Sequence, residues 1–234
     1  MQALFHTDES YGNRIQSYSR ADGIKAIGLF VFEFLSCYVL GLLMLSNLSV
    51  SVLNTANYVF YIIQLIPCLL LVLVSSQTAA SIGLHRKNLG KSLMFGLVGT
   101  VVFSLCVIVL HLFYGETQLG LQQIPIFIIL SFAFFAIQEE ILYRGYIQTR
   151  ITALISNSAL STAVTAVLFL LIHYPVKWAV SGSFSLTILS PFYVICLLLL
   201  HIFCDWVYRT TDCLYGSILL HFLYNVFSAM LFAS

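Results

Sequence analysis

Long apolar runs constrain this chain more than any other feature of its sequence. Each run has close to the ~20 residues that an α-helix needs to cross the ~30 Å hydrocarbon core of a bilayer. Only 8% of the 234 residues are charged and 60% are hydrophobic, whereas roughly a quarter of the residues of a soluble domain are charged. These features predict an all-α, polytopic transmembrane helical bundle of about seven spans. The runs cover about residues 24–45, 57–74, 92–113, 124–146, 158–173, 186–207 and 214–232.

The positions of the basic residues predict the orientation of the bundle. With the N-terminus in the cytoplasm, Lys177 is the one basic residue expected outside, and the others lie on or near the cytoplasmic side. The polar segment before the first run has no apolar signal-peptide core, so that run is expected to stay as an anchor. The basic residues expected inside are Arg14, Arg20, Lys25, Arg86, Lys87, Lys91, Arg144, Arg150 and Arg209.

The charge and the cysteines exclude several classes of function. A net charge of +1 without any basic block excludes a nucleic-acid partner. The six cysteines stand singly, mostly inside apolar runs, and no CxxC spacing occurs. They are therefore interpreted as small buried apolar residues rather than as disulfides or metal ligands.

The segment Glu139–Gly145 carries three formal charges directly after an uncharged run of residues 117–138. Placing an isolated carboxylate in hydrocarbon costs free energy on the order of several kcal/mol. Such groups are therefore rare, usually paired and usually functional. On an α-helix Glu140 and Arg144 share one face in the favourable acid-before-base order. Glu139 points about 100° away from that face. We therefore expect one structural ion pair and one carboxylate free for chemistry.

Later runs hold further polar side chains at helical spacing. Phe169 and His173 are four residues apart, and so are His221 and Asn225, so each pair projects from one helix face. Together with Glu139, these runs supply two imidazoles, a carboxamide and a carboxylate. A carboxylate with a histidine can take a proton from water, and a second histidine with an amide can stabilise an oxyanion. This set therefore suits the hydrolysis of an amide by water.

Each of these residues also has a simpler interpretation. A lone histidine or asparagine in a span usually makes a hydrogen bond between helices, and a Glu–Arg pair four residues apart is usually structural. Glu33 is interpreted as such a structural group. The catalytic interpretation is favoured because the polar side chains are concentrated in the second half of the chain.

The three patterns together resemble a known family. Glu139-Glu140-x-x-x-Arg144, Phe169-x-x-x-His173 and His221-x-x-x-Asn225 resemble, in this order, the three motifs of the CPBP intramembrane proteases. That family comprises the type II CAAX prenyl endopeptidases and the bacterial Abi or bacteriocin-processing proteins. The resemblance covers about residues 80–230.

The resemblance implies a role for each motif residue. Glu139 with His173 would activate the attacking water, and His221 with Asn225 would form the oxyanion site. Glu140 is counted with these catalytic residues. It would also hold its helix in place with Arg144, while Phe169 would pack beside His173.

The resemblance also implies that no cofactor is needed. Two carboxylates and two histidines could bind zinc, but no H-E-x-x-H spacing occurs, and we expect no metal.

His201 and Asp205 form a second His-x-x-x-acid pattern, ranked below His221 and Asn225 because the last motif of the family lies in the final helix. If the helices are straight, Glu139 lies roughly 8 Å from the inner face and His173 roughly 22 Å, so the site needs tilt or a sunken turn after Arg144.

These observations predict an intramembrane endopeptidase of the bacterial plasma membrane. It would act on a membrane-associated or lipidated peptide, such as a leader peptide or a bacteriocin precursor, in contact with membrane lipid. The predicted organisation is a polar cytoplasmic tail (1–23), N-terminal transmembrane helices (24–79) and a protease core (80–234). The alternative is a non-catalytic immunity or scaffold protein that binds a peptide or a partner membrane protein. A small-molecule transporter is disfavoured because no internal repeat is visible.

Overall fold

The computed structural model describes residues 6–114 and 120–231. These residues are helical and contain no β-strand. The sequence also predicts an outer loop at residues 114–116; its Gly115 and Glu116, like Phe232 at the end of the last predicted span, lie outside the described residues. The α-helices are α1 (Glu9–Gln16), α2 (Arg20–Met44), α3 (Val50–Val74), α4 (Leu89–Tyr114), α5 (Ile126–Glu140), α6 (Thr149–Ile151), α7 (Ser158–Leu171), α8 (Pro175–Ser181), α9 (Pro191–Thr211) and α10 (Tyr215–Leu231).

Six described stretches are long and apolar enough to cross a membrane, and α10 is a shorter apolar helix. The predicted all-helical bundle of about seven spans is therefore confirmed. Large apolar side chains remain exposed along the outer faces of α2, α3 and α4, as lipid-facing surfaces require. The predicted orientation stays a prediction.

The span that carries the acidic pair is longer than predicted. It runs from Ile126 to Ile151 rather than ending near Tyr146, so Glu139 lies near its middle. The predicted depth of Glu139 below the inner face stays a prediction. Arg144 and Arg150 are fully buried inside the bundle, and Arg144 is paired with Glu140, which agrees with the sunken turn after Arg144 that the site was expected to need.

A π-helical segment, Ile141–Gln148, joins α5 to α6. A π-helix pairs residue i with residue i+5 and is rare outside functional sites. All eight of its residues are buried. At Gly145 a Cβ would come within 2.9 Å of the Ile82 carbonyl oxygen, which explains why the smallest residue stands there.

The N-terminal segment is packed against the bundle, although the sequence suggested little burial there. Tyr11 in α1 is fully buried, and its ring meets the ring of Tyr208 edge-on at 5.2 Å. Arg14 forms an ion pair with Asp212 at the end of α9. The expectation of little burial is wrong because α1, which begins at an Asp8 cap, presents an apolar and cationic face to α9. The cytoplasmic location of this segment stays a prediction.

Two glycines allow α4 and α10 to approach closely. A Cβ on Gly96 would lie 2.4 Å from the carbonyl oxygen of Gly216, and one on Gly216 would lie 2.1 Å from that of Ser92. The Ser92 hydroxyl accepts a hydrogen bond from the Gly216 N–H at 2.9 Å and donates one to the Cys213 carbonyl at 2.7 Å. Small residues and hydroxyl hydrogen bonds are the usual basis of close packing between membrane helices.

This contact predicts that Gly216→Ala destabilises the protein. The added methyl group meets backbone that cannot rotate away, so overpacking should cost about 1–3 kcal/mol. Gly28→Ala is the matched control, because Gly28 lies in α2 with nothing within 4 Å of its Cβ position. Thermal unfolding in detergent should show a lower midpoint for Gly216→Ala than for Gly28→Ala. Equal midpoints would contradict this account of the interface.

Candidate active site

Three helical elements bring the motif residues to one place. Glu139 comes from the end of α5, His173 from the turn after α7, and His221 and Asn225 from α10. All four line one cavity of about 640 Å³. The depth difference expected for straight, upright helices therefore does not keep Glu139 and His173 apart, because both side chains line this cavity.

Glu140 does not line this cavity, and its carboxylate contacts Arg144 and His221. Its Oε1 accepts a hydrogen bond from His221 Nδ1 at 2.8 Å. The same oxygen lies 3.0 Å from Arg144 Nη1, and the side chains of Glu140 and Arg144 are both 0% exposed. The predicted Glu140–Arg144 pair is therefore present, and His221 is part of the same buried cluster.

Glu139 is the more accessible carboxylate of the acidic pair. Its side chain is 20% exposed, and its Oε2 lies 3.9 Å from His221 Nε2. The His221 ring thus stands between the two carboxylates, with Nδ1 directed at Glu140 and Nε2 directed at Glu139. This arrangement leaves Glu139 facing the cavity while Glu140 fixes the imidazole.

The second imidazole, that of His173, is oriented by the backbone of its own helix. Its Nδ1 lies 2.8 Å from the carbonyl oxygen of Phe169. A carbonyl oxygen only accepts, so Nδ1 carries the proton and the neutral ring keeps its lone pair on Nε2. His173 lines the same cavity as Glu139, so a ring nitrogen able to accept a proton is held beside a carboxylate.

Phe169 lies at the centre of the site. Its ring centroid is 5.1 Å from that of His173 and 6.3 Å from that of His221. The Arg144 guanidinium carbon lies 4.1 Å from the same centroid, a distance typical of a cation–π contact. Phe169 is completely buried and packs against Arg144 and against both histidines.

His201 and Asp205 do not line this cavity. His201 Nε2 pairs with Thr165 Oγ1 at 3.2 Å, and Asp205 accepts a hydrogen bond from Arg209 Nε at 2.6 Å. Asp205 also accepts from Gln148 in the π-helical segment. These contacts are those of interhelical hydrogen-bonding groups.

Several side chains of the site were not predicted from the sequence. Tyr61 from α3 and Tyr193 from α9 line the cavity beside Glu139. Gln64 and Gln138 line a second, adjoining cavity, together with Glu33. The available signal was the occurrence of isolated polar residues inside apolar runs, and the one such residue of the first span, Glu33, was interpreted as structural.

In the part of the chain described here, no group of three or more His, Cys, Asp and Glu side chains lies close enough together to hold a metal ion. The absence of a metal stays a prediction.

The fold and the site define the class of this protein. It is a multi-pass helical membrane protein with a polar cluster of carboxylates and histidines inside the bundle.

Comparison with known families gives a more particular assignment. Residues 120–227 match the family model described as Type II CAAX prenyl endopeptidase Rce1-like. The matched segment contains all three motifs, and it confirms the resemblance to CAAX-type intramembrane proteases. No curated protein and no solved structure matches the chain. The boundaries predicted at residues 23 and 79 lie before the matched segment and stay predictions.

The buried cluster predicts that Arg144→Ala destabilises the fold. The substitution leaves Glu140 without its guanidinium partner, and breaking a buried ion pair in this way costs about 3–5 kcal/mol. The double variant Glu140→Gln, Arg144→Met should recover part of the loss, because an amide oxygen can still accept from His221. Arg20→Ala, at an exposed position, is the control. Thermal unfolding of Arg144→Ala at the wild-type midpoint would show that Glu140 is balanced elsewhere.

Proposed function

We propose that this protein is an intramembrane endopeptidase that hydrolyses a peptide bond of a membrane-associated or lipidated peptide. The observation that carries the proposal is the convergence of Glu139, His173, His221 and Asn225 on one cavity within the bundle. The match to a type II CAAX prenyl endopeptidase family supports the class of reaction. The bacterial plasma membrane is the proposed location.

The first step is the activation of water. A water molecule between Glu139 and His173 gives up a proton to this pair, and its oxygen attacks the carbonyl carbon of the peptide. His173 is suited to this role because Nδ1 is committed to Phe169, which leaves Nε2 as the acceptor. Positioned general bases of this kind contribute roughly 10²–10⁴-fold to the rate.

The second step is the stabilisation of the oxyanion that this attack creates. His221 would donate from Nε2 and Asn225 from its amide, since both line the cavity on the same face of α10. Glu140 supports this role of His221 by accepting from Nδ1.

The reaction ends with proton transfer to the leaving group. The proton taken from water passes to the amide nitrogen, the C–N bond breaks, and a carboxylic acid and an amine are released. Glu139 thereby returns to its starting state. This sequence consumes one water molecule and requires no redox partner.

The lining of the cavity supports a peptide substrate that lies at the membrane. Apolar side chains from α5 and α9, including Phe132, Phe135 and Leu197, stand next to the polar cluster. Tyr61 packs on Phe135 with ring centroids 4.4 Å apart. A site of this kind suits an extended peptide with an apolar or lipid-anchored portion, such as a leader peptide or a bacteriocin precursor.

The proposal predicts a large loss of activity for each of four variants. Glu139→Gln and His173→Ala should lower cleavage by about 10²–10⁴-fold, and His221→Ala and Asn225→Ala by about 10²–10³-fold. The measurement uses the purified protein in detergent with fluorogenic peptides that carry either an acyl or a farnesyl anchor.

His201→Ala is the matched control, because His201 is a buried histidine outside the cavity. It should change stability more than turnover. Wild-type cleavage by any of the four site variants would contradict the mechanism. Losses that follow thermal stability in every variant, His201→Ala included, would instead favour the non-catalytic immunity or scaffold function.

A further inference from the structure

A second, smaller cavity adjoins the proposed active site. It has a volume of about 310 Å³, at the lower end of the roughly 300–1,000 Å³ typical of ligand pockets. Its wall shares Tyr61, Glu139, His173 and Tyr193 with the larger cavity. A group that enters this compartment therefore lies directly beside the residues that would activate water.

Glu33 of α2 supplies a buried carboxylate to this compartment. It is 1% exposed, and its Oε1 has no hydrogen-bond partner. Within the described parts of the chain no cationic side chain lies within ion-pair distance of Glu33. A carboxylate removed from water without a partner is costly, so its retention inside a span points to an interaction that the folded chain alone does not provide.

The neighbouring groups add further acceptors. Gln138 is 2% exposed, and its Oε1 also lacks a hydrogen-bond partner. Gln64 donates from Nε2 to Ser36 Oγ at 2.8 Å and to Cys37 Sγ at 3.2 Å, which leaves its carbonyl oxygen as the group available to a ligand. Two unpaired oxygen atoms that accept hydrogen bonds, Oε1 of Glu33 and Oε1 of Gln138, therefore belong to residues that line this compartment.

The ionisable side chains of the compartment are mostly acidic. Glu33 and Glu139 both line it, whereas the one cationic residue among its lining residues is Lys177, which is exposed. Arg144 does not line it and is already paired with Glu140. A ligand that donates hydrogen bonds and carries positive charge would complement this surface.

We infer that this compartment is a specificity pocket for a cationic group of the peptide substrate, with Glu33 as its counter-ion. The inference rests on the proposed function, since it assigns the pocket to the substrate of that reaction. Two sources offer the same chemistry: a lysine side chain near the cleaved bond, or the free α-ammonium of a short peptide. In either case Glu33 acts in recognition and takes no part in bond cleavage.

The experiment compares anchored peptides that differ in one residue. Each peptide carries lysine or its neutral isostere norleucine at a position flanking the cleaved bond, and each is made with a free or an acetylated N-terminus. The wild type should favour the cationic peptide by about 10–100-fold in kcat/KM, as expected for a hydrogen-bonded ion pair. In Glu33→Gln this ratio should fall to about one. A preference that follows lysine identifies the side chain, and one that follows the free N-terminus identifies the α-ammonium.

Three further variants secure the interpretation. Glu33→Asp should keep part of the preference because the charge remains. Glu9→Gln, an exposed carboxylate change outside both cavities, should keep all of it. Lys177→Glu changes an exposed residue and should therefore leave folding intact. It should raise the preference for the cationic peptide, because it adds negative charge to the wall of the pocket. An unchanged ratio in both Glu33→Gln and Lys177→Glu would overturn the inference.

A binding measurement separates this inference from the proposed protease activity. The same peptides, labelled with a dye, are titrated against Asn225→Ala and against Asn225→Ala with Glu33→Gln, and fluorescence anisotropy is recorded. Asn225 lines the larger cavity but not the smaller one. Preferential binding of the cationic peptide that is lost with Glu33→Gln supports the pocket even if no peptide is cleaved. Cleavage without any such preference overturns the pocket and leaves the protease proposal standing.

Discussion

The rest of the site depends on the contacts that the buried carboxylate of Glu140 makes with Arg144 and His221. This carboxylate joins Arg144 of the π-helical segment and His221 of α10 through one oxygen atom, with distances of 3.0 and 2.8 Å. In a low-dielectric interior such a group is costly unless its partners stay in place. The carboxylate therefore fixes α5 against α10, and this packing sets the position of the His221 ring that faces Glu139.

Sequence patterns predicted the fold class and the membership of the site. The apolar runs predicted the membrane-spanning helices, because backbone N–H and C=O groups in lipid must form their hydrogen bonds within each helix. The motif residues Glu139, His173, His221 and Asn225 do line one cavity, since charged and polar side chains inside a span must face the interior of the bundle. The chemical role of each residue stays a proposal.

The depth and shape of the site could not be predicted. Buried arginines such as Arg150 resemble residues at the end of a span, but Arg150 is held by Gln77, by backbone carbonyls and by the Tyr146 ring. Gln77 comes from a distant part of the chain, so no local pattern in the sequence shows that Arg150 has this partner. The π-helical segment likewise leaves no periodic signal, because residues that are buried on every side show no polar face. Glu33 was interpreted as a structural group, because the cavity that it lines forms only once α2 and α3 have packed together.

The change from α- to π-geometry after Glu140 has a consequence for how this span is used. A helical turn that pairs residue i with residue i+5 contains more residues than an α-helical turn. The side chains before and after the π-helical segment therefore do not continue along the same helix faces. The half before Glu140 buries few of its residues and borders the cavities, whereas the half after it is enclosed entirely. This single membrane-crossing stretch thus consists of two parts that bury very different shares of their surface and are joined without any loop.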